Sequence, residues 1–589
     1  MKHSKKILNY SVLLIALISF SSFDNNNSKL SYQLLQKIRY QDNSEKNLIW
    51  IYFTDKGNDF DNKLSTPELF LTEKSIQRRL KRIKNDKLYD ELDIPLNANY
   101  VNEITNSGLV IKQKSKWFNA ISCHANKIQI EIISGKDFVK KIEFVQKYKK
   151  SNEPEMNILD NNIPFQSDNT ASLNYGPSLV QSNIINVPPV HANGYSGEGV
   201  LIASFDAGFD NLQHYCFSLI RAKGLRTYDF VNGDTIVANG EGRLGNDGSH
   251  GTLTLSLVGG YSPDSLVSPA YNSQFILAKT ENIDSETPLE EDNWIAAAEW
   301  ADSLGADIIT SSLGYVNFDP PYESYTWQSM NGNTTRITQA ANIAVNKGIV
   351  VVISSGNSGN NPVHNTLNAP ADGYNVITVG AVTSARQRAG YSSVGPTTDG
   401  RIKPDVMAMG SNNYTAKSGP GSTGYINIAT GTSLACPMIA GVCALILSAN
   451  PGLTPIQVGD ILRSTADRSS SPDNLNGWGI VNSLAAVQLA IGSNPNANLP
   501  SDYILSQNYP NPFNPSTTFR FTLNKNANIS LIIYDESGRM MDMVIDNKSY
   551  STGSQELVYN NGNLSSGVYF YSLIANGVLV DSKKMVLIY

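Results

Sequence analysis

The sequence is poor in cysteine, with four cysteines in 589 residues. Cys436 and Cys443 lie in an apolar run that predicts a single helix, where a separation of about 10 Å puts them beyond disulfide reach. We interpret all four cysteines as small packed residues and expect no disulfide framework.

A strong net charge is also absent. The formal charge is −6, and no lysine-rich stripe with interleaved aromatic residues runs through the main body. Nucleic acid is therefore not an expected partner. The hydrophobic fraction of 41% and the charged fraction of 17% exclude wholesale disorder, and the length predicts three or four folded units.

Long apolar runs are scarce, and the first one lies at the N-terminus. Lysines at positions 2, 5 and 6 precede an apolar stretch over residues 7–20, and small residues follow it. This order is typical of a secretory signal, and the stretch is short and interrupted by serine for a membrane span. We predict a signal peptide over residues 1–22 and membrane association only during export or surface attachment; a plain membrane anchor is the alternative.

Composition then divides the first part of the chain. Residues 23–47 are expected to be a polar linker, and residues 48–150 a small α/β unit with the strands LIWIYF and FVKKIEFV. The stretch TEKSIQRRLKRIKN predicts a helix, and we interpret its basic face as exposed to solvent rather than as a nucleic-acid site. Residues 151–174 are rich in Pro and Asn, which predicts a linker or processing region.

Residues 175–492 alternate short apolar runs, such as GVLIASFD and GIVVVISSGN, with helical stretches such as EEDNWIAAAEWADSLG. Continuous apolar strands alternating with helices predict an α/β fold, a mostly parallel sheet covered by helices on both faces. Functional sites in such sheets collect at the carboxyl ends of the strands. Asp206, Ser312 and Asn357 are predicted to lie there.

The last part of the chain has a different pattern of apolar and polar residues. Residues 493–502 are predicted to be a second linker. Residues 503–589 contain short alternating runs, including TTFRFTL, ISLIIYD and GVYFYSLI, separated by Gly, Asn and Pro. This pattern predicts a C-terminal β-sandwich.

Three polar residues of the central unit have the chemistry of acyl transfer to a serine. Asp206 ends a predicted strand, His250 is followed by Gly-Thr and an apolar helix, and Ser433 opens the apolar run that holds Pro437. A carboxylate that orients an imidazole, which in turn takes the serine proton, activates the hydroxyl for attack. Each residue also has an ordinary structural interpretation: a turn residue, a packed histidine, and a helix N-cap.

Four short stretches containing these residues resemble the signatures of the subtilisin-like serine peptidases, the subtilases. They are DAG at 206, HGT at 250, SSGN at 354 and GTSLACP at 431, and they stand in the order of that family. The resemblance covers about residues 197–486. It implies a secreted serine endopeptidase in which Ser433 is the nucleophile, His250 the general base and acid, and Asp206 its orienter.

The same resemblance implies the groups around these three residues. Asn357 would donate its side-chain amide to the oxyanion, beside the backbone N–H of Ser433 at a helix N-terminus, and Pro437 is expected in the first helical turn. The predicted substrate-binding residues are Ser312, Leu313, Gly314, Ser355 and Gly356. The departures from the family pattern are Ala207, Tyr315, Met409, Leu434 and Cys436.

Resemblances also cover the two flanking units. Residues 48–150 are similar to the propeptides of secreted subtilases of the Bacteroidota, which implies a zymogen inhibited by its own propeptide. Residues 503–589, with the run NYPNPFNP at 508–515, resemble the type A sorting domain of the type IX secretion system. A carbohydrate-binding or adhesive sandwich is the alternative for this unit.

The expected partners are thus protein or peptide substrates, the propeptide and the type IX secretion machinery, and the expected location is outside the cell or on its outer surface, reached through the periplasm. No cofactor is required for the chemistry, and no metal site is predicted. A structural calcium is common in the family, but linear spacing does not assemble an oxygen cage for one. Two other functions remain open: a non-catalytic surface binding protein on a subtilase scaffold, and a peptide ligase or acyl transferase.

The interpretation of residues 48–150 as a removable propeptide predicts where the mature enzyme begins. N-terminal sequencing of the secreted protein is expected to give a start between residues 150 and 180. A mature protein that begins at Phe23, directly after the signal peptide, would contradict it.

Overall fold

The structure is a computed structural model that describes residues 28–588, apart from gaps at 58–59, 84–87, 146–172, 241–248, 283, 320–323, 361–362, 420, 493–502, 524, 536–538, 561–563 and 576–577. The predicted signal peptide, the linker over 493–502 and nearly all of the linker over 151–174 lie outside the described residues.

The N-terminal unit, residues 28–145, is built on a four-stranded antiparallel sheet in the order β2-β3-β1-β4. Both predicted strands and the predicted basic helix are present, as β1, β4 and α3. The elements of this unit are α1 (Tyr32–Tyr40), β1 (Lys46–Phe53), α2 (Phe60–Leu64), η1 (Pro67–Leu69), α3 (Glu73–Arg82), η2 (Glu91–Asp93), α4 (Ala98–Asn106), β2 (Ile111–Ser115), β3 (Ala120–Asn126), α5 (Lys127–Ser134) and β4 (Val139–Phe144).

Part of the expected polar linker over residues 23–47 is helical instead. Ser31 caps helix α1 by accepting a hydrogen bond from the backbone N–H of Leu34. Leu34 and Ile38 are four residues apart, so they share one helix face, and both are buried in the core of the N-terminal unit. Leu30 lies in the same core, and backbone hydrogen bonds between residues 29–31 and Ile142 of β4 hold the segment in place.

The central unit, residues 173–492, confirms the predicted parallel sheet. Seven strands run parallel in the order β13-β12-β11-β10-β5-β9-β6. The strands of this unit are β5 (Leu201–Asp206), β6 (Arg226–Asp229), β7 (Tyr261–Ser262), β8 (Leu266–Val267), β9 (Gln274–Lys279), β10 (Ile308–Ser311), β11 (Val350–Ser354), β12 (Ile377–Val382), β13 (Val406–Met409), β14 (Asn413–Ala416) and β15 (Tyr425–Ala429).

Helices cover both faces of this sheet, as the apolar strands predict. Along β11, Val350 and Val352 face one core, whereas Val351 and Ile353 face the other. Helices α9 and α12 pack in the first core, and α10 and α11 in the second. The helices are η3 (Gly176–Ser178), α6 (Leu179–Ile184), α7 (Pro188–Ala192), η4 (Tyr215–Phe217), α8 (Ser218–Ala222), α9 (Ser249–Gly259), α10 (Pro288–Leu304), η5 (Trp327–Ser329), α11 (Arg336–Asn346), α12 (Thr432–Ala449), α13 (Pro455–Thr465) and α14 (Ser483–Gly492).

Helix α12 is apolar and long enough, at 18 residues, to cross a membrane by length and composition. In this structure 83% of it is buried inside the protein. The helix is the centre of the first core, which explains why its sequence is apolar all round.

The C-terminal unit, residues 503–588, consists of two antiparallel sheets, β16-β17-β20 and β19-β18-β21-β22. Phe519 and Phe521 of one sheet and Leu531 and Tyr571 of the other share a core, which confirms the predicted sandwich. Its strands are β16 (Tyr503–Leu505), β17 (Ser516–Leu523), β18 (Ala527–Asp535), β19 (Met540–Tyr550), β20 (Gly553–Asn560), β21 (Gly567–Ala575) and β22 (Val578–Leu587).

The basic face of α3 is buried, so the expectation that it faces solvent is wrong. Arg79 is fully buried and donates to both Asp93 and Asp302 at 2.8 Å, and Arg82 donates to Asp307 at 2.8 Å. Asp302 and Asp307 belong to the central unit, so the basic helix docks the N-terminal unit onto it. The sequence alone does not indicate this docking, because Asp302 and Asp307 lie more than two hundred positions from their arginine partners.

Asp302 shows how these charges are tolerated. Burial by itself would raise the pKa of its carboxyl, but the guanidinium groups of Arg79 and Arg78 bring it below its ordinary value. The ionised Asp302 carboxylate therefore stabilises the docked arrangement fully at pH values above the ordinary carboxyl pKa. This stabilisation is lost as the pH falls through the lowered pKa of Asp302.

Replacing Asp302 should destabilise the full chain strongly. Asp302→Ala leaves the buried guanidinium of Arg78 without its carboxylate, which is expected to cost about 3–5 kcal/mol in the free energy of unfolding. The control Glu103→Ala removes an ion pair to Lys136 whose side chains are 50% and 39% exposed, and a change below about 1 kcal/mol is expected. Denaturant titration followed by tryptophan fluorescence measures both; equal effects would contradict the buried network.

Candidate active site

The candidate site lies along the carboxyl edge of the central sheet, where strands β5, β10 and β11 are neighbours. Asp206 is the last residue of β5 and Asn357 lies just beyond β11. Ser312 follows Ser311, the register partner of Phe205, so Ser312 flanks Asp206. The parallel fold thus gathers at one edge three residues that are distant in sequence, as predicted.

Asp206 and His250 form a hydrogen-bonded pair. The Nδ1 atom of His250 lies 2.7 Å from Oδ1 of Asp206. The carboxylate also accepts from the hydroxyl of Thr254 at 2.8 Å and from the backbone N–H of Ala207 at 2.8 Å. Asp206 is buried, whereas the side chain of His250 is 24% exposed, so the imidazole is held on its Nδ1 side by a buried carboxylate and remains partly accessible.

Gly251, the residue after His250, is required by a close backbone approach. A Cβ atom at this position would clash with the carbonyl oxygen of Gly208 and would lie 3.1 Å from the Cβ of Asp206. The glycine lets helix α9 start directly against the loop that follows β5. This contact sets His250 at hydrogen-bond distance from Asp206.

Ser433 is the second residue of helix α12, where backbone N–H groups lack partners within the helix. Gly431, the preceding N-cap residue, has φ 155°. A Cβ atom on Gly431 would lie 2.8 Å from Oγ of Ser433 and 3.7 Å from Nδ2 of Asn357. The hydroxyl and the amide nitrogen therefore both lie within 4 Å of the same point beside Gly431, and a side chain at position 431 would crowd them.

Pro437 lies in the second turn of α12, not in the first as expected. As the sixth helical residue, it has no N–H to donate to the carbonyl of Ser433 four positions earlier. The hydroxyl of Ser312 donates to that carbonyl instead, at 2.7 Å. The proline thus frees the Ser433 carbonyl for a bond that ties the start of α12 to the end of β10.

Asn357 is oriented by the residue before Ser433. Its Oδ1 accepts from the backbone N–H and from the hydroxyl of Thr432, each at 3.0 Å. With the oxygen held by Thr432, the amide nitrogen points away from Thr432 and keeps its two N–H donors available.

The predicted substrate-binding residues divide into two groups. Ser312, Leu313 and Gly314 are half-buried, whereas Ser355 and Gly356 are buried. Ser355 is fully buried, and its backbone N–H and carbonyl are bound by Val379 and Asn368, so the structure does not support a direct substrate contact for it. The side chain of Asn368 lies between the two glycines: it is 2.7 Å from the Cβ position of Gly314 and 2.8 Å from that of Gly356.

The departures from the family pattern are all buried. Ala207, Met409, Leu434 and Cys436 fill the interior. Burial raises the pKa of the Cys436 thiol to about 12, so it is a packed thiol rather than a reactive thiolate. All four cysteines are free, in agreement with the expectation from the sequence.

Sequence reasoning missed the residues that hold the candidate site in place. Thr254, which binds Asp206, lies four positions after His250 on the same helix face, a spacing that could have indicated it. Thr432 adjoins Ser433 in sequence. Asn368 and the buried Glu281, which accepts from the hydroxyl of Tyr315, carry no local signal.

Among the described residues, no group of three or more His, Cys, Asp or Glu side chains is arranged to hold a metal ion. A structural calcium therefore has no carboxylate cage in that part of the chain, and it remains an expectation from the family resemblance.

Three family models match the chain. Residues 197–479 match the subtilase family, residues 48–158 a peptidase S8 propeptide domain of the Bacteroidota, and residues 507–588 a secretion system C-terminal sorting domain. The sorting domain marks the protein as secreted or cell-surface. The three matches fall on the central, N-terminal and C-terminal units.

Two relatives agree with the first match. A subtilisin of Bacillus pumilus is 32% identical over 320 residues, 54% of this chain and 99% of that protein. Serine protease AprX of Bacillus subtilis (strain 168) is 30% identical over 316 residues, 49% of this chain and 66% of that protein. A solved structure described as proteases from Pseudoalteromonas arctica PAMC 21717 has 25% identity and a TM-score of 0.43, covering 54% of this chain and 100% of its own. By its similarity along nearly the whole of a subtilisin, the chain belongs to the subtilase family and is a serine peptidase.

Proposed function

We propose that this protein is a secreted serine endopeptidase, made as a zymogen, that hydrolyses peptide bonds through Asp206, His250 and Ser433 and an acyl-enzyme intermediate. The observation that carries the proposal is the 2.7 Å bond between His250 and Asp206, formed at the sheet edge to which Ser312 ties the start of helix α12. Ser433 stands at that helix start.

The hydrogen bonds of Asp206 suit the role of orienter. A buried carboxylate that accepts from a hydroxyl and a backbone N–H is fixed in position. It accepts the Nδ1–H of His250, which leaves the lone pair on Nε2 for the proton of the Ser433 hydroxyl. When the imidazole becomes positively charged, the same carboxylate stabilises it.

The proposed reaction has two halves. The Ser433 oxygen attacks the substrate carbonyl carbon while its proton passes to Nε2 of His250, and the resulting tetrahedral intermediate collapses when Nε2 returns that proton to the leaving amine. Water then enters, gives a proton to Nε2 and attacks the acyl-serine, and the acid product leaves as Ser433 regains its proton.

The oxyanion of both tetrahedral intermediates would be bound by the Nδ2–H of Asn357 and the backbone N–H of Ser433. Thr432 supports this assignment because it occupies the oxygen of the Asn357 amide and so aims the nitrogen. Donors oriented before the reaction stabilise charge without a reorganisation cost.

The contacts of the N-terminal unit support its role as an inhibitory propeptide. Glu299 of helix α10 accepts the backbone N–H of Lys116 at 2.8 Å and of Trp117 at 3.1 Å. Together with the buried arginines of α3, these bonds dock the N-terminal unit on helix α10 and on Asp307 at the start of β10. We infer that the unit is cut off during maturation and that the type IX secretion machinery exports the chain.

A serine-directed phosphonate tests the nucleophile. It should label the unaltered mature protein on the peptide containing residue 433, as read by mass spectrometry, and Ser433→Ala should lose both the label and cleavage of a mixed peptide library. His250→Ala should lose cleavage as well, whereas the control His364→Ala, at an exposed histidine, should retain it.

Labelling or cleavage that persists in the Ser433→Ala protein would overturn the assignment. Ligated peptides from the unaltered protein would favour a transferase, and an unaltered protein that neither labels nor cleaves would favour a binding protein on this scaffold.

The oxyanion assignment predicts a kcat effect. Asn357→Ala should lower kcat by about 10²–10³-fold with little change in KM, because the lost amide donor acts on the transition state. Asn333→Ala, an exposed asparagine of the same unit, should behave like the unaltered enzyme. Steady-state kinetics on one peptide measures both, and a loss confined to KM would argue against the oxyanion role.

A further inference from the structure

A tyrosine–glutamate hydrogen bond spans the end of the strand that carries Asp206. The hydroxyl of Tyr315 donates to the carboxylate of Glu281, and both side chains are buried. Tyr315 lies shortly after β10 and Glu281 shortly after β9. Strands β10 and β9 are the two neighbours of β5, so the bond reaches across two strand spacings, roughly 10 Å, at the carboxyl end of β5.

Each end of this bond is anchored to a part of the candidate site. Tyr315 directly follows Gly314 and pairs through its backbone with Ala369 in both directions, at 2.9 and 3.1 Å. On the other side, the backbone N–H of Thr280, the residue before Glu281, donates to the carbonyl of Asp206 at 3.1 Å. The bond therefore links the half-buried segment 312–314 to the backbone of Asp206.

We propose that Glu281 and Tyr315 are a positioning pair for the reaction: they hold the substrate-facing segment 312–314 against the Asp206–His250 pair, and the Glu281 carboxylate stabilises the imidazolium of His250. This inference rests on the proposed function.

The chemistry of the surroundings supports a role beyond packing. A buried carboxyl group is costly to keep, and the neighbours of Glu281 are mostly acidic. Burial raises the pKa of Glu281 to about 7, the hydroxyls of Tyr315 and Thr280 lower it, Asp206 raises it, and His250 lowers it. A positive charge on His250 is thus the neighbouring charge that favours ionised Glu281, and ionised Glu281 favours the imidazolium in return.

The titratable groups that face this pair come from four elements. Asp206 is at the end of β5, and His250 is on helix α9. Helix α10 carries Glu290 and Glu291, and Glu286 lies in the segment before it.

The chain offers a matched control on the same helix layer. The hydroxyl of Tyr325 donates to Glu291 at 2.9 Å, and both residues are buried. This second tyrosine–glutamate bond has the same chemistry and a similar burial. It is not linked to the backbone of Asp206, so its loss should affect stability alone.

The test compares three single variants and one double variant of the full chain after maturation. Glu281→Gln should lower kcat/KM about tenfold and move the acid limb of its pH profile to lower pH, because the removed negative charge no longer favours the imidazolium. Tyr315→Phe should act mainly on KM, since the substrate-facing segment loses its tether. The double variant should be no worse than the more severe single variant, because the two residues act through one bond.

The control Tyr325→Phe should leave kcat, KM and the acid limb unchanged. The inference is overturned if Glu281→Gln and Tyr315→Phe have the same pH profile and kinetics as Tyr325→Phe, or if the effects of the two site variants add. If Glu281→Gln fails to fold, the KM values of Tyr315→Phe and Tyr325→Phe test the inference. A higher KM in Tyr315→Phe alone supports it, and equal KM values overturn it. If Ser433→Ala is inactive while these variants show no difference, only this inference fails; if Ser433→Ala remains active, the proposed function fails and this inference with it.

Discussion

The hydrogen bond between His250 and Asp206 is the interaction on which the proposed chemistry depends. It exists because helix α9 starts against the loop after β5, an approach that only a glycine at position 251 permits. Thr254 and the backbone of Ala207 hold the same carboxylate from other directions. The orientation of the imidazole is thus fixed by the packing of a helix on a strand end rather than by a flexible loop.

Helix α12 combines two functions that are usually separate. Most of its residues form the centre of the first core, and its first turns present Ser433 at the sheet edge. Pro437 is compatible with both, because the carbonyl that it leaves without a helical partner is bound by Ser312. A local defect in the helix thereby becomes a link between the helix and the neighbouring strand.

The N-terminal unit is attached by buried charges rather than by an apolar face alone. Arg79 lies between Asp93 of its own unit and Asp302 of the central unit. Such pairs contribute less to net stability than to a unique docking geometry, since each charge that loses its partner is heavily penalised. An interface of this kind is specific for one arrangement and is weakened when one side is removed or its charge is changed.

The sequence by itself determined the three units, the parallel sheet, the sandwich and the chemical identity of the candidate site, because strand periodicity, linker composition and four short motifs are local signals. It also placed Asp206 and Asn357 at strand ends. Only the tertiary structure decided which distant residues form pairs: the arginines of α3 with Asp302 and Asp307, Ser312 with Ser433, and Tyr315 with Glu281. These contacts join residues that are distant along the chain, and the physical reason is that packing of helices and strands, not the local sequence, brings such side chains within hydrogen-bond reach.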